Sequence, residues 1–359
     1  MNYSFLDFLG LLGAVGLFLY GMKVMSEGLQ KAAGDRLRNI LSAMTRNRFT
    51  GTATGFLITA LIQSSSASTV MVVSFVNAGL MTLSQSMAVI MGANVGTTFT
   101  AWVIALFGFS VNISSFVLPM LGIAVPLLFA NRSRTKSIGE FLVGFAFLFM
   151  GLDLISKYVP DLQTNPEMFE FLTRYTTMGY GSVWIFMLVG VVLTMIIQSS
   201  AATFAITLIM CSKGWIGFDL SCAIVLGSNI GTTITPILAS LSGNTAAKRT
   251  AMGHLLFNLL GTVWCMTLFY PFVNLTTWLT EAFGFGNPTE LVGFVKHIEL
   301  TQPELYNHLF DNSLPAGHDV MMKIAMMQTS VSYGLSMFHT AFNIVNLSVM
   351  IWLTNVYVK

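Results

Sequence analysis

The sequence predicts an all-α protein that crosses a membrane several times and is built from two inverted repeats. Three observations carry this expectation. Of 359 residues, 54% are hydrophobic and 9% are charged, whereas a soluble domain carries roughly 25% charged residues. No Asp, Glu, Lys or Arg occurs between Arg48 and Arg132, a run far longer than the ~20 apolar residues that one crossing needs. The segment 55–100 also recurs at 190–235. The apolar runs are continuous rather than alternating, so helices are favoured over a β-barrel, the other form that satisfies the backbone in lipid.

The elements follow from these runs. Full crossings are expected near 5–28, 84–108, 114–131, 138–158, 218–240, 251–273 and 324–355, and further charge-free runs separate Arg174 from Lys213, Asp219 from Lys248, Arg249 from Glu281 and Lys323 from Lys359. Two segments, 52–80 and 182–213, are apolar at both ends and polar in the middle, at Gln63-Ser64-Ser65-Ser66 and Gln198-Ser199-Ser200. A polar tip facing lipid is costly, so these read as re-entrant hairpins whose tips meet protein or water at mid-membrane. The short-loop cations form three clusters: Lys31, Arg36, Arg38, Arg46 and Arg48; Arg132, Arg134 and Lys136; and Lys248 with Arg249. With both hairpins non-crossing, all three fall on one face, the cytoplasmic one by the positive-inside rule. The N-terminus is then outside and the C-terminus cytoplasmic.

Charge and cysteine content narrow the function. A dispersed net charge of +2 argues against a nucleic-acid partner. Cys211, Cys222 and Cys265 lie in apolar stretches without a C-x-x-C pair and read as small hydrophobes. Residues 1–22 contain Asp7 and no Lys or Arg, so a cleavable signal peptide is not expected.

At an offset of 135 residues, 16 of 46 positions are identical. They gather at Gln63-Ser64-Ser65 against Gln198-Ser199-Ser200, and at G-x-N-x-G-T-T, Gly92–Thr98 against Gly227–Thr233. Small residues pack membrane helices, but packing does not explain Gln, Asn and paired Thr at matching depth. The organisation expected is repeat 1 over 1–135, with hairpin 52–80 and broken helix 84–108, and repeat 2 over 136–275, with hairpin 182–213 and broken helix 218–240. An extracytoplasmic acidic loop, 276–323, and a C-terminal transmembrane helix, 324–359, follow outside the repeat. Each repeat holds an odd number of crossings, so the second sits upside down, as in secondary transporters.

A hairpin tip exposes the first N–H groups of its second arm, a ready anion site. The hydroxyls of Ser64, Ser65, Ser66, Ser199 and Ser200 can donate to anion oxygens. Their oxygens, and the side-chain carbonyls of Gln63 and Gln198, can also coordinate sodium. Asn94, Thr97, Thr98, Asn229, Thr232 and Thr233 supply further oxygens where two glycines are expected to unwind each helix. No Lys or Arg stands at the tips, so a buried anion needs co-bound cations, which also couple it to a gradient.

These paired motifs resemble those of the type II sodium/phosphate cotransporter family in its bacterial form, over nearly the whole chain. The resemblance implies a phosphate site at the two tips, formed by Gln63, Ser64, Ser65, Ser66, Gln198, Ser199 and Ser200, with sodium bound nearby. Sodium is the co-transported ion, no organic cofactor is implied, and the lipid bilayer is the surrounding partner. Ala201 stands where the family has a third Ser. Many bacterial relatives carry a PhoU-like helical domain, which is absent from these 359 residues. The reading is sodium-coupled import of phosphate by alternating access in the bacterial cytoplasmic membrane. Transport of another small oxyanion or carboxylate on the same scaffold, and a channel or receptor, stay open as alternatives, as does a homodimer. With no carboxylate pair, nucleophile–base set or metal cluster in the bundle, an enzyme is not expected.

Two H-x-x-F-N motifs, His254/Phe257/Asn258 and His339/Phe342/Asn343, place His and Asn on one helix face and read as interhelical hydrogen-bonding groups. Asp153 and Lys157 read as an interfacial pair, and Phe147–Gly151 echoes Phe18–Gly21. His297, His308 and His318 in the outer loop lack tight metal-ligand spacing.

Overall fold

A computed structural model describes residues 3–33, 47–108, 114–159, 174–306, 308–309 and 318–354. All regular structure among them is helical. Arg36, Arg38, Arg46, Asp311 and Lys359 lie outside the described residues.

Helix α1 (Phe5–Ala33) and α6 (Ser133–Tyr158) pack antiparallel. Gly21 abuts the backbone of Leu148 and Gly144 that of Met25, while Gly28 meets Phe141 and Gly151 meets Phe18. A Cβ at any of these would strike backbone. Such small residues let membrane helices approach closely enough for dispersion to hold them without a hydrophobic driving force. The contacts repeat at an offset of 123, which relates Gly21 to Gly144 and Gly28 to Gly151, and the stretch Phe147–Gly151 that echoes Phe18–Gly21 is the one packed against it. Lys31 on α1 and Glu140 on α6 add an ion pair at 2.7 Å, and Asp153 and Lys157 pair at 2.8 Å.

Helix α2 (Arg48–Ile62) begins at a capping box, in which Thr50 N donates to Asn47 Oδ1 at 2.9 Å. After Gln63 and Ser64 the chain continues as α3 (Ser65–Asn77) and α4 (Leu83–Gly108). Helices α2 and α4 run in the same direction, with Gly55 against Val89, Gly92 against Thr52 and Gly96 against Phe56. The second half repeats this with α7 (Tyr180–Ile197), α8 (Ser200–Ser212) and α9 (Phe218–Gly231). There Gly190 meets Ile224, Gly227 meets Met187 and Gly231 meets Val191, each contact displaced by 135 residues from its counterpart.

The broken helix expected at 84–108 is absent: α4 is continuous through Gly92–Thr98. The counterpart does break, ending at Gly231 and restarting as α10 (Ile234–Ser240). Pro236 is the physical reason, because it cannot donate to the Thr232 carbonyl; Ala101 stands at the matching position in α4. A second break follows the same rule. The crossing expected at 251–273 is α11 (Thr245–Thr267), which turns by 89° into α12 (Phe269–Ala282), four residues before the missing N–H of Pro271.

The acidic segment expected as a solvated loop is largely helical, with α13 (Glu290–Thr301) and α14 (Pro303–Tyr306). Leu291, Val295 and Ile298 on α13 are buried at helical spacing, which outweighs the acidic residues on its other face. Helix α15 (Asp319–Met350) closes the described chain. Arg48 fixes its end, with Nη1 donating to Ile351 O at 3.3 Å and the guanidinium 4.7 Å from the Trp352 ring.

Among the described residues, five helical segments are long and apolar enough to cross a membrane, namely α1, α4, α6, α7 and Phe218–Ser240, and the bent pair α11–α12, taken as one span, makes a sixth. The expected crossing at 114–131 is a 15-residue helix, α5 (Ser114–Leu128). That is about 22 Å long, short of a ~30 Å hydrocarbon core. Helix α15 has the length, at 32 residues, but falls outside the apolar set. Helix α7, expected as a hairpin arm, is apolar enough to cross by itself.

Candidate functional site

Both polar tips are turns of one design. Gln63 closes α2 in the left-handed region at φ 57°, ψ 24°, and Gln198 closes α7 at φ 56°, ψ 28°. Each donates its backbone N–H to the carbonyl four residues back, Thr59 O and Thr194 O, at 2.7 Å. The next residue is the N-cap of the returning helix. Ser64 Oγ accepts from Ala67 N and Ser199 Oγ from Ala202 N, both at 3.2 Å. Serine suits this position because its oxygen reaches an N–H that the first turn leaves unpaired. A non-glycine residue at positive φ is strained, and such strain concentrates at functional sites.

The two tips meet. A cavity of about 180 Å³ is lined by Gln63, Ser64, Ser65 and Ser66 from the first and Gln198, Ser199, Ser200 and Ala201 from the second, with Thr97, Thr100, Ile197 and, from α1, Leu19 and Met22. All seven residues expected at the anion site therefore share one cavity. It is lined by no charged side chain. The first-turn N–H groups of α3 and α8 border it, and these carry the positive ends of two helix dipoles.

Of the remaining candidate sodium ligands, only Thr97 lines this cavity. The others do not line it; they are buried in α4, in α9 or in the Thr232–Thr233 link, and bonded to the backbone of their own segment. Asn94 Nδ2 donates to Ile90 O at 2.9 Å and Thr98 Oγ1 to Val95 O at 2.7 Å. Asn229 Nδ2 donates to Val225 O at 3.2 Å, Thr232 Oγ1 to Ser228 O at 2.9 Å and Thr233 Oγ1 to Ile230 O at 2.7 Å.

Thr100 is a site residue that sequence reasoning passed over. Its Oγ1 donates to Gln63 Oε1 at 2.9 Å, while Gln63 Nε2 donates to Ala60 O. The signal was present, because Thr100 matches Thr235 as the last identity of the 135-residue overlay.

The H-x-x-F-N motifs lie on α11 and α15, which cross antiparallel. Asn346 donates to Phe257 O at 3.1 Å and accepts from Trp264 Nε1 at 3.3 Å. Helix α11 packs on the first half, with Ser86 and Thr250 hydroxyls 3.2 Å apart. Helix α15 packs on both halves: Trp102 Nε1 of α4 donates to Thr340 Oγ1 at 2.9 Å, while His339 Nε2 lies 3.2 Å from Asn229 Oδ1 and its ring stacks on Phe204.

Comparison with known proteins accords with this geometry. A family described as Na+/Pi-cotransporter matches residues 17–157 and 165–287. The chain is 31% identical over 271 residues to the "Putative inorganic phosphate export protein YjbB" of Salmonella typhimurium, covering 75% of this chain and 48% of that protein. It thus spans about half the length of that relative. Identity to the uncharacterized protein YqeW of Bacillus subtilis is 33%, over 74% of this chain and 82% of YqeW. The rat sodium-dependent phosphate transport protein 2A is 39% identical over 100 residues, 27% of this chain and 15% of that protein. No solved structure gives a significant match. A matched family covering most of the chain, together with a multi-pass array of apolar helices, places this protein in the Na+/Pi-cotransporter family, a family of transporters rather than enzymes.

Proposed function

We propose that the chain is a sodium-coupled carrier that moves inorganic phosphate by alternating access through the cavity between the two tips. The observation that carries this reading is the convergence of two serine-capped helix N-termini on one cavity without basic residues. Two N-termini supply together about one positive elementary charge, whereas a phosphate group carries about −1.5 to −2 at neutral pH. The remainder falls to cations. Sodium held by Gln63, Ser65, Gln198, Ser200 and Thr97, with Asn94, Thr98, Asn229, Thr232 and Thr233 behind, would neutralise the anion and couple it to the sodium gradient.

Re-entry of the two helix–turn–helix units is supported by their geometry. Helix α3 has 13 residues, about 20 Å, and α2 runs parallel to α4, so the chain turns back between them. Inversion of the repeats is supported by the antiparallel pairing of α1 with α6. Phosphate import into a bacterial cell across its cytoplasmic membrane follows where the sodium gradient points inward. The direction of net flux is set by the gradients rather than by the fold, and the same carrier releases phosphate when they reverse, the direction in the name of YjbB. A homodimer is tested by the mass of the detergent-solubilised protein.

The test is labelled phosphate uptake into proteoliposomes under an inward sodium gradient, against potassium and choline controls and with cold sulfate, arsenate and aspartate as competitors. Sodium-dependent accumulation blocked by phosphate and arsenate, and lost in folded Ser65→Ala and Ser200→Ala proteins, is expected. Competition by aspartate would move the substrate to carboxylates, and sodium-independent flux without accumulation would make the protein a channel.

A further inference from the structure

The two halves carry the same residues but not the same bonds. In the first, Gln63 is buried and its side chain is held by Thr100. In the second, Gln198 is exposed, and the buried Thr235 hydroxyl has no partner. The H-x-x-F-N helices are unequal in the opposite sense. His339 is bonded to Asn229 in the second half, whereas both ring nitrogens of the fully buried His254, beside the first half, have no partner. A third inequality lies inside the tips. Thr194 Oγ1 donates to Thr203 Oγ1 at 2.8 Å across the second turn, and the matching Thr59 hydroxyl is buried without a partner.

A buried hydroxyl without a partner is left with its desolvation cost uncompensated, so Thr235 is poised to gain a bond in another arrangement. The two halves differ as well in the helix that carries this threonine. The interruption at Thr232–Thr233, before Pro236, separates Thr235 from the helix that carries Asn229, while α4 holds Thr100 on a continuous helix.

We propose that Thr100 and Thr235 are the positioning residues of the two tip glutamines and that they are bonded in alternation, Thr100–Gln63 in the state described here and Thr235–Gln198 in the oppositely facing one. Exchange of these bonds makes one tip firm while the other is released. The inference rests on the transport reading and specifies which bonds distinguish its two states.

Alternating bonds have opposite signs under mutation, which a merely structural role does not. Thr100→Val removes the bond of the present state and shifts the population toward the other; Thr235→Val does the reverse. The readout is the alkylation rate of Ala201→Cys, in the cavity wall, by a membrane-impermeant maleimide applied to right-side-out and to inside-out vesicles. The native cysteines Cys211, Cys222 and Cys265 are buried, and vesicles without the Ala201→Cys change give the background. The expected result is that the ratio of the two rates moves by severalfold in one direction for Thr100→Val and in the other for Thr235→Val, with Thr→Ser variants restoring the parent ratio. Equal movement in the same direction, or no movement for Thr235→Val, would overturn alternation. Because this reading uses no phosphate, its failure is separate from the loss of sodium-dependent uptake that would sink the transport proposal itself.

Discussion

Gln198→Gly should stabilise the fold and stop transport, whereas Gln63→Gly should do the second without the first. Both glutamines sit at φ near +57°, where a residue with a Cβ pays about 1–2 kcal/mol and where glycine is the preferred helix terminator. Glycine forfeits roughly 0.5–1 kcal/mol of that gain through the larger entropy of its unfolded chain. At Gln198, which is exposed, the net change is about 0.5–1 kcal/mol of stabilisation. At Gln63 the same substitution strips the Thr100 hydroxyl of its acceptor, at a cost of about 1–3 kcal/mol for a buried group left unpaired. The net there is destabilisation by about 1 kcal/mol. For a chain this large, 1 kcal/mol moves the melting temperature by no more than about 2–4 °C, so the pair is compared side by side, by tryptophan fluorescence in one detergent, with phosphate uptake measured in parallel. If Gln198→Gly melts below Gln63→Gly, the strain argument is wrong. If Gln198→Gly transports normally, Gln198 is not part of the site.

Three further outcomes follow from the packing and the cavity. Gly92→Ala and Gly227→Ala each drive a methyl into a backbone carbonyl of the neighbouring helix, Thr52 and Met187, and should abolish folded yield, whereas Gly13→Ala, with open space around it, should gain up to about 1 kcal/mol; equal yields would refute the close-contact assignment. Ala201→Ser supplies in the second tip the hydroxyl that Ser66 supplies in the first and should lower the half-saturating phosphate concentration about fivefold, for one net hydrogen bond of ~1 kcal/mol; an unchanged value would remove position 201 from the anion's reach. Val295→Asp should cost on the order of 3 kcal/mol by burying a charge, while Leu300→Asp, at 83% exposure, should stay within about 0.5 kcal/mol; similar melting temperatures for the two would mean that α13 does not pack as described.

Much of the tip chemistry was legible in the residues. A polar interruption in an apolar segment is costly enough to demand a turn, and Gln-Ser-Ser supplies the turn residue, the cap and the hydroxyls together. The departures from expectation trace to single residues. Pro236 and Pro271 each remove one N–H, and the helix breaks four residues earlier in both places. Gly92, Gly96 and the Asn and Thr between and beside them do not unwind α4, because glycine permits a break without requiring one; here the glycines serve the approach of α2. The buried stripe of Leu291, Val295 and Ile298 was readable in principle, but the surrounding acidic residues dominated the reading of that segment.

Composition and local pattern by themselves determined that the chain is helical, lies in a membrane, is duplicated at an offset of 135 residues and presents two serine-capped tips. These properties depend on transfer of short segments out of water and on turns a few residues long. Tertiary structure alone decided that the tips share one cavity, that Thr100 holds Gln63 while Thr235 is left without a partner, and that the H-x-x-F-N helices cross through Asn346. Those facts depend on the register between helices far apart in the chain. That register is set by glycine contacts and buried hydrogen bonds that two identical motifs can satisfy in different ways.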